Sequence, residues 1–284
     1  MMRPVVEFRK IGEMSYSKKK NAAESKSFKF LVIVLAVAAA IGIAVVVLTP
    51  PDLDANFCPI DKSKIQPHKV SMLIDITDKL SNQNKKIVNE LLQDWVSSGV
   101  SSQKLSIYSL NTSNINEFED IDTLCSPPNA RLLAFSYGRQ KADQRIGEFK
   151  KRLLDKIEQS SATKNSLNTS RILESVRQIT NGPGWFSGSS RLILITDLIE
   201  KSDFADFYNA VPPKFSDWVL KSANQSLVNS IQMGKGDRVQ VCQLLTEKPG
   251  FASRERAAEF WVELFRFKGV SEVVFTCNQI VRDK

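Results

Sequence analysis

The sequence predicts an α/β protein, in which a single N-terminal transmembrane helix precedes a doubly wound, mostly parallel sheet. Two observations predict this fold class. Residues 30–48 form an unbroken apolar run, and between residues 70 and 277 short strand-like segments alternate with amphipathic helical segments. Strands that alternate with helices imply parallel pairing through helical crossovers, which cover both faces of a sheet.

The apolar run of 19 residues carries no charged side chain. As a helix it spans about 28 Å, close to the roughly 30 Å hydrocarbon core of a bilayer. It also lacks the polar face that a buried core helix normally shows. A cleaved signal peptide is the alternative, but the segment before the run is long and no A-x-A-like site ends it. We therefore assign residues 30–49 to a transmembrane helix.

The charge of the chain predicts which side of the membrane each part occupies. The formal net charge is +8, and residues 1–29 contain eight basic and three acidic residues. Five of the eight charges therefore lie in this tail, which the positive-inside rule places in the cytoplasm. The sequence thus predicts a single-pass protein of the bacterial inner membrane with its main domain in the periplasm. The tail accounts for most of the basic charge, so no nucleic-acid partner is predicted.

The external part is predicted to comprise a linker, residues 50–67, and one α/β domain, residues 68–284. Each predicted strand is a short, mostly apolar run bounded by polar residues. The runs cover residues 70–74, 105–110, 191–196, 239–245 and 273–277. The run at 191–196 (RLILIT) is the clearest, because consecutive aliphatic residues are typical of a strand buried on both faces.

The predicted helices are recognised by apolar residues that repeat with a period near 3.6. They cover residues 83–96, 140–158, 170–179 and 253–267. In the second, Ile146, Phe149, Leu153 and Ile157 form one stripe. Gly269 follows the last helix closely and is predicted as its C-terminal cap.

All four cysteines follow the apolar run, on the predicted external side. An even number of cysteines in an oxidising compartment permits disulfides. Proximity along the chain favours Cys58–Cys125 and Cys242–Cys277 among three pairings. Buried unpaired thiols are the alternative, especially for the two cysteines that lie in apolar strand-like runs, Cys242 and Cys277. No C-x-x-C pair occurs, so neither a zinc ribbon nor a thioredoxin-type site is supported.

Aspartates directly follow two of the predicted strands, at Asp75 and Asp197. In an open parallel sheet, ligands bind at the carboxyl ends of the strands near the point where the strand order reverses. The hydroxyls of Thr77 and of Thr169 or Ser170 would complete a set of oxygen ligands, which suits Mg²⁺. The alternative is that these side chains only cap helices and turns.

These residues resemble the von Willebrand factor A (VWA) family. A first strand that ends in D-x-[ST], a later hydroxyl residue that opens a helix, and an apolar strand that ends in [ST]-D are similar to its pattern. Residues 169–176 (TSRILESV) resemble the family's T-x-I-x-x-A-L segment, with Ser170 at the threonine position. The resemblance covers residues 69–277 and implies a VWA/Rossmann-like domain.

The resemblance also implies a metal-ion-dependent adhesion site that binds a carboxylate of a partner protein. Its ligands to Mg²⁺ or Mn²⁺ would be Asp75, Thr77, Ser170 and Asp197. The family's first motif is D-x-S-x-S, whereas Lys79 stands at the third position here. An ammonium group is not a metal ligand, so the site is a degenerate version of the family's.

The resulting functional hypothesis is a membrane-anchored, non-enzymatic module that docks a partner protein in the periplasm through a divalent cation. The alternative is a metal-independent structural scaffold subunit of an envelope complex, which Lys79 favours. A metal-dependent hydrolase is the third interpretation. The chain has one histidine, His68, and no recognisable pair of nucleophile and base, so no catalytic residues and no enzymatic activity are predicted.

Overall fold

The computed structural model describes residues 30–42, 52–75, 77, 81–98, 103–110, 119–126, 139–162, 169–185, 188–244 and 251–277. The chain divides into two compact units, Met1–Pro50 and Pro51–Lys284. In the first unit, residues 30–42 are helical with exposed side chains. The rest of the predicted transmembrane helix and the basic tail lie outside the described residues. Among the residues described, no helix combines the length and apolarity needed to cross a membrane.

The second unit contains the α/β domain. Its strands are β1 (Gln66–Asp75), β2 (Gln103–Leu110), β3 (Glu119–Cys125), β4 (Arg191–Thr196), β5 (Arg238–Gln243) and β6 (Glu272–Phe275). Its helices are α1 (Asn82–Ser98), α2 (Arg139–Ala162), α3 (Ile172–Asn181), α4 (Phe215–Trp218), α5 (Ser222–Ser230) and α6 (Phe251–Phe267). A short 3₁₀ turn, Lys62–Lys64, precedes β1.

The six strands form one sheet in the order β3-β2-β1-β4-β5-β6. Every pairing is parallel except that of the edge strand β3 with β2. The chain builds outward from β1 in one direction and, from β4 on, in the other, so the strand order reverses between these two central strands. This is the position at which open α/β sheets form ligand crevices.

Helices cover both faces of the sheet, as the doubly wound prediction requires. Successive residues of a strand point to opposite faces. In β1, Leu73 belongs to a core cluster that includes residues of α3, α4, α5 and α6, whereas Met72 and Ile74 belong to a second cluster with residues of α1 and α2. In β4, Leu194 and Ile195 divide between the clusters in the same way. The predicted mostly parallel α/β sheet is therefore confirmed.

Three elements were not among those predicted from the sequence: β3, α4 and α5. The strand β3 (EDIDTLC) carries three acidic residues, a composition that is unusual for a strand. It lies at the sheet edge and pairs only with β2, so it does not need the continuous apolar run of a central strand. The helix α5 is mostly polar, and its buried Asn224 donates a hydrogen bond to the carbonyl of Trp218 (2.9 Å), a tertiary contact without a local sequence pattern.

The four cysteines form two disulfides with the pairing that chain proximity favours. Cys58 bonds to Cys125 with an S–S distance of 2.08 Å, and Cys242 bonds to Cys277 at 2.05 Å. No cysteine is free, so the alternative of buried unpaired thiols is wrong.

The segment predicted as a linker is attached to the domain near Cys58. The carbonyl of Asn56 accepts a hydrogen bond from the backbone N–H of Cys125 (3.0 Å), and the ring of Phe57 packs edge-on against Phe149 of α2, with 5.4 Å between centroids. Arg152 of α2 donates hydrogen bonds to the carbonyl of Ala55 and to the Asn56 side chain, the latter at 2.9 Å. Residues 55–58 therefore belong to the folded domain.

Candidate functional site

The candidate site is centred on Asp75, the last residue of β1, whose side chain is buried at the point where the strand order reverses. Its Oδ1 accepts hydrogen bonds from the backbone N–H of Thr77 (3.1 Å) and from the Thr77 hydroxyl (2.7 Å). Its Oδ2 accepts hydrogen bonds from the hydroxyls of Ser170 (3.0 Å) and Thr196 (2.9 Å). One carboxylate thus joins β1, β4 and the segment before α3.

A short backbone bridge holds Ser170 in this position. Its N–H donates to the carbonyl of Lys201 (3.0 Å), and its carbonyl accepts from the N–H of Lys201 (2.8 Å). The bridge connects the segment before α3 with the loop after β4. Because both backbone groups of Ser170 are bound, its hydroxyl is directed to Asp75 by the fold itself.

The turn after β4 positions Thr196 and Asp197. Leu198 has φ of +66°, a left-handed conformation that is rare for residues other than glycine. Two side chains hold it, because the Leu198 N–H donates to Oγ1 of Thr196 (3.0 Å) and its carbonyl accepts from Nε1 of Trp261 (3.0 Å). Oδ1 of Asp197 accepts from the N–H of Ile199 (2.9 Å). Backbone strain of this kind is concentrated at functional sites.

Glu200 is a fully buried carboxylate that the sequence analysis did not select. Its Oε2 accepts a hydrogen bond from the N–H of Leu173 (2.9 Å) in the first turn of α3, so Glu200 caps this helix from a distant loop. Its other oxygen, Oε1, is buried without a hydrogen-bond partner among the described residues. Burial raises the pKa of Glu200 to about 8, against the opposing hydrogen bonds from Ser202 and Leu173.

The electrostatic environment of Asp75 is also unusual. Burial raises its pKa, although the hydrogen bonds from Thr77, Thr196 and Ser170 act in the opposite direction. Repulsion from Asp75 and from the buried Glu174 adds to the rise in the pKa of Glu200. Buried acids close together at the end of a strand are typical of functional sites, and structural networks also produce them.

Asp75 and Asp197 each accept a backbone N–H in a turn, as the capping interpretation allows, whereas neither Asp75 nor Ser170 caps α1 or α3. The N-terminal residue that flanks α3 is Arg171, which makes no side-chain cap hydrogen bond, and Ser170 bonds to Asp75 instead. The hydroxyl of Ser81 accepts from the N–H of Asn84 (3.1 Å) at the start of α1, so α1 has a cap of its own. Asp75 and Ser170 are therefore not needed as caps for these helices.

Of the four predicted ligands, the structure brings Asp75, Thr77 and Ser170 into direct contact, and Asp197 lies in the adjoining turn. Lys79, where the sequence departs from the family motif, lies outside the described residues. Thr196 and Glu200 were missed. Thr196 had a sequence signal, because it directly precedes Asp197 at the end of a strand. Glu200 had only the weak signal of an acid just after an apolar run.

The candidate metal ligands offer many oxygen atoms but few negative charges. A hydroxyl that donates its proton to Asp75 keeps its oxygen lone pairs, so Thr77 and Ser170 retain the capacity to bind a hard cation. The Thr169 hydroxyl, one residue away, is buried without a hydrogen-bond partner in the described part of the chain. Within that part, no group of three or more His, Cys, Asp or Glu side chains is placed to hold a metal ion. The donors thus fit Mg²⁺ or Mn²⁺ by type, with few carboxylates to balance its charge.

Comparison with known proteins does not assign the chain to a family. No protein-family model matches the chain. A search of curated proteins likewise gives no match.

Proposed function

We propose that this chain is a membrane-anchored, VWA-like binding module that docks a partner protein in the bacterial periplasm through a divalent cation. The observation that carries the proposal is the convergence of Asp75, Thr77, Ser170 and Thr196 at the reversal of strand order. Asp75, Thr77, Ser170 and Asp197 would hold the cation. When bound, it would supply a positive charge that a partner carboxylate can ligate.

The site favours binding over catalysis because its hydroxyl groups donate their protons in hydrogen bonds to Asp75. Thr77, Ser170 and Thr196 all donate to this one carboxylate, so each is oriented for recognition. The described residues around it include three further acids, Glu174, Asp197 and Glu200, and no histidine. A general base paired with a nucleophile is not formed by these residues, and we propose no enzymatic activity.

Two further observations support the proposed location. The two disulfides suit an oxidising compartment, such as the bacterial periplasm. The apolar run at residues 30–48 and the basic tail before it are typical of a single-pass anchor with a cytoplasmic N-terminus.

A metal-independent scaffold subunit of an envelope complex is the second candidate function. The observation that favours it is that both oxygens of Asp75 are fully used by four hydrogen bonds within the protein. Such a carboxylate can serve to hold the loops together without a ligand. Under this proposal the partner binds another surface, and the rim, formed by Asp75, Thr77, Ser170, Thr196 and Asp197, is purely structural.

A metal titration separates the two candidates. We expect Mg²⁺ or Mn²⁺ to raise the melting temperature of the purified full-length chain, because a ligand that binds only the folded state stabilises it. Asp75→Asn, which keeps the side-chain shape, should abolish this shift. Asp155→Asn, an exposed site on α2, is the matched control and should keep it. A melting temperature that does not respond to either cation in the unaltered chain would favour the scaffold.

A further inference from the structure

Exposed apolar side chains cluster where α4 packs against α6. Among the described residues of the second unit, five large apolar side chains are exposed to solvent. Three of the five belong to this region, namely Val211, Leu220 and Phe267, whose exposed fractions are 65%, 79% and 56%. Single exposed apolar residues are common on protein surfaces, whereas a group of them marks an interaction site.

Packing between α4 and α6 brings the three side chains into one area. The ring of Phe215, at the start of α4, lies 5.5 Å from the ring of Phe267, at the end of α6. The ring of Trp218, at the end of α4, lies 5.0 Å from another phenylalanine ring of α6. Val211 is four residues from Phe215 and Leu220 is two from Trp218, so their Cα atoms lie within about 14 Å and about 7 Å of those residues. We call this area the α4–α6 patch.

Basic side chains surround the α4–α6 patch. Five of them lie on or beside the segments that form it: Lys214, Lys221, Lys235, Arg266 and Lys268. Lys235 is among them because its backbone nitrogen lies 3.7 Å from the position that a Cβ atom of Gly269 would occupy. The surface of the same segments carries two acids, Asp217 and Glu263, so positive charge is in excess. Over the described part of the chain, none of the five basic side chains forms an ion pair.

The α4–α6 patch extends to the end of the sheet opposite the rim. Phe267 ends α6 and leads to the amino-terminal end of β6. The segment after the predicted anchor is fixed at the same end, because Asn56 bonds to Cys125, the register partner of Lys104 near the start of β2. Asp75, in contrast, lies at the carboxyl end of β1. A surface bound at the α4–α6 patch would therefore leave the rim accessible.

The length of chain before the domain favours a membrane as this surface. Leu48 ends the apolar run, and the disulfide of Cys58 fixes the chain to the domain ten residues later. Ten residues extend at most about 35 Å. The proposed anchor would thus keep the domain within reach of the bilayer. Bilayers with anionic lipids attract Lys and Arg to their headgroups and take up apolar side chains below them.

We propose that the α4–α6 patch docks on the surface of a bilayer that contains anionic lipids, with Leu220 and Phe267 between the headgroups. The basic side chains around these two residues contact the lipid phosphates. This inference rests on the membrane anchor of the proposed function, but it requires neither a divalent cation nor an intact rim.

A fluorophore in the α4–α6 patch tests the contact with lipid. All four cysteines are paired in disulfides, so a single introduced cysteine can be labelled selectively. The full-length chain with labelled Leu220→Cys is reconstituted in nanodiscs whose lipids carry nitroxide quenchers on their acyl chains. We expect strong quenching with phosphatidylglycerol and phosphatidylcholine in equal parts, and much less with phosphatidylcholine alone. Labelled Asp155→Cys, an exposed position on α2, is the matched control and should not be quenched in either.

Charge variants separate docking from general attraction to the bilayer. In the labelled Leu220→Cys chain, the paired change Lys214→Gln and Lys221→Gln should remove most of the quenching. Lys141→Gln with Lys151→Gln, both exposed on α2, removes the same charge and should leave the quenching intact. Asp75→Asn should also leave it intact, because the rim takes no part. Melting temperatures verify that each variant is folded.

Three results would overturn the proposal. The first is equal quenching at positions 220 and 155 in the anionic discs, and the second is an equal effect of the two lysine pairs. The third is a label at 220 that stays unquenched in discs but is shielded in native membranes, which would assign the α4–α6 patch to an acidic protein surface. A chain that does not enter the discs would contradict the anchor instead, and vesicles of the same lipids added to that chain then test the patch by the same quenching.

Discussion

Single residues of the rim combine burial with unbalanced charge. Glu200 shows this most clearly, because one of its oxygens caps α3 while the other has no described partner, and its pKa is about 8. A negative charge is unfavourable on a buried carboxylate with one unpaired oxygen. We therefore expect Glu200 to be protonated in the folded chain at neutral pH.

The raised pKa of Glu200 predicts a pH-dependent stability. In the unfolded chain the pKa returns to about 4.5, so between that pH and about 8 the folded state holds a proton that the unfolded state releases. The free energy of unfolding should therefore fall as pH rises through this window, by on the order of 5 kcal/mol in total. Denaturant unfolding at several pH values between 5 and 8 measures this loss.

Substitutions show whether Glu200 causes this dependence. Glu200→Gln keeps an acceptor for the N–H of Leu173 and removes the titration, so its stability should vary much less across the same window. Glu259→Gln, an exposed position on α6, should behave like the unaltered chain. A Glu200→Gln chain that loses as much stability as the unaltered one would show that the dependence has another source.

The residues also show why the sequence predicted part of the site. Asp75 and Asp197 directly follow apolar runs and Thr77 lies two residues after Asp75, a local pattern that places all three at the carboxyl ends of strands. The contact between Ser170 and Asp75 joins positions 95 residues apart; the strand-end argument left Thr169 and Ser170 as alternatives, and the family resemblance selected Ser170. Glu200 acts through a helix terminus that lies elsewhere in the chain, so no local pattern could reveal its role.

At the scale of elements, the strands that were predicted are those that contain a short run rich in apolar residues. β1 and β4 lie at the centre of the sheet, and residues 70–74 of β1 and 192–195 of β4 are mostly apolar. The edge strand β3 was missed because it has three acidic residues in place of such a run, whereas the other edge strand, β6, keeps Val273, Val274 and Phe275. The short helix α4 was missed because four residues are too few to show a helical period.

The disulfide between Cys58 and Cys125 connects the segment that follows the predicted membrane anchor to the edge strand β3. It closes a loop with a sequence separation of 67 residues. On the chain-entropy model, a loop of this length corresponds to about 4 kcal/mol of stability. The paired change Cys58→Ser and Cys125→Ser should lower the free energy of denaturant unfolding by an amount of this order.

The same variant should expose residues 52–60 to proteolysis, because the disulfide and the hydrogen bonds of Asn56 hold this segment on the domain. Limited proteolysis of the oxidised and variant chains tests this directly. Equal stability and equal protection in the two chains would mean that the disulfide adds nothing to the packing of Phe57 and Arg152.

At the scale of the whole molecule, charge and topology together direct attention to one edge of the sheet. The formal net charge of +8 lies mostly in residues 1–29, which leaves the remaining chain with 31 basic and 28 acidic residues. The domain is therefore nearly balanced, and its distinctive feature is the rim at which the strand order reverses. We propose that a partner protein binds this rim.

Photo-crosslinking in intact membranes tests that claim most directly. Asp203 is a suitable probe position, because its side chain is exposed and lies 3.4 Å from Arg171, the residue next to Ser170. A full-length chain with a photoreactive residue at 203 should form a discrete crosslinked product. This product should disappear when Asp75→Asn is added and persist when Asp155→Asn is added. A product of equal yield in a folded Asp75→Asn chain would contradict the claim that the rim binds the partner.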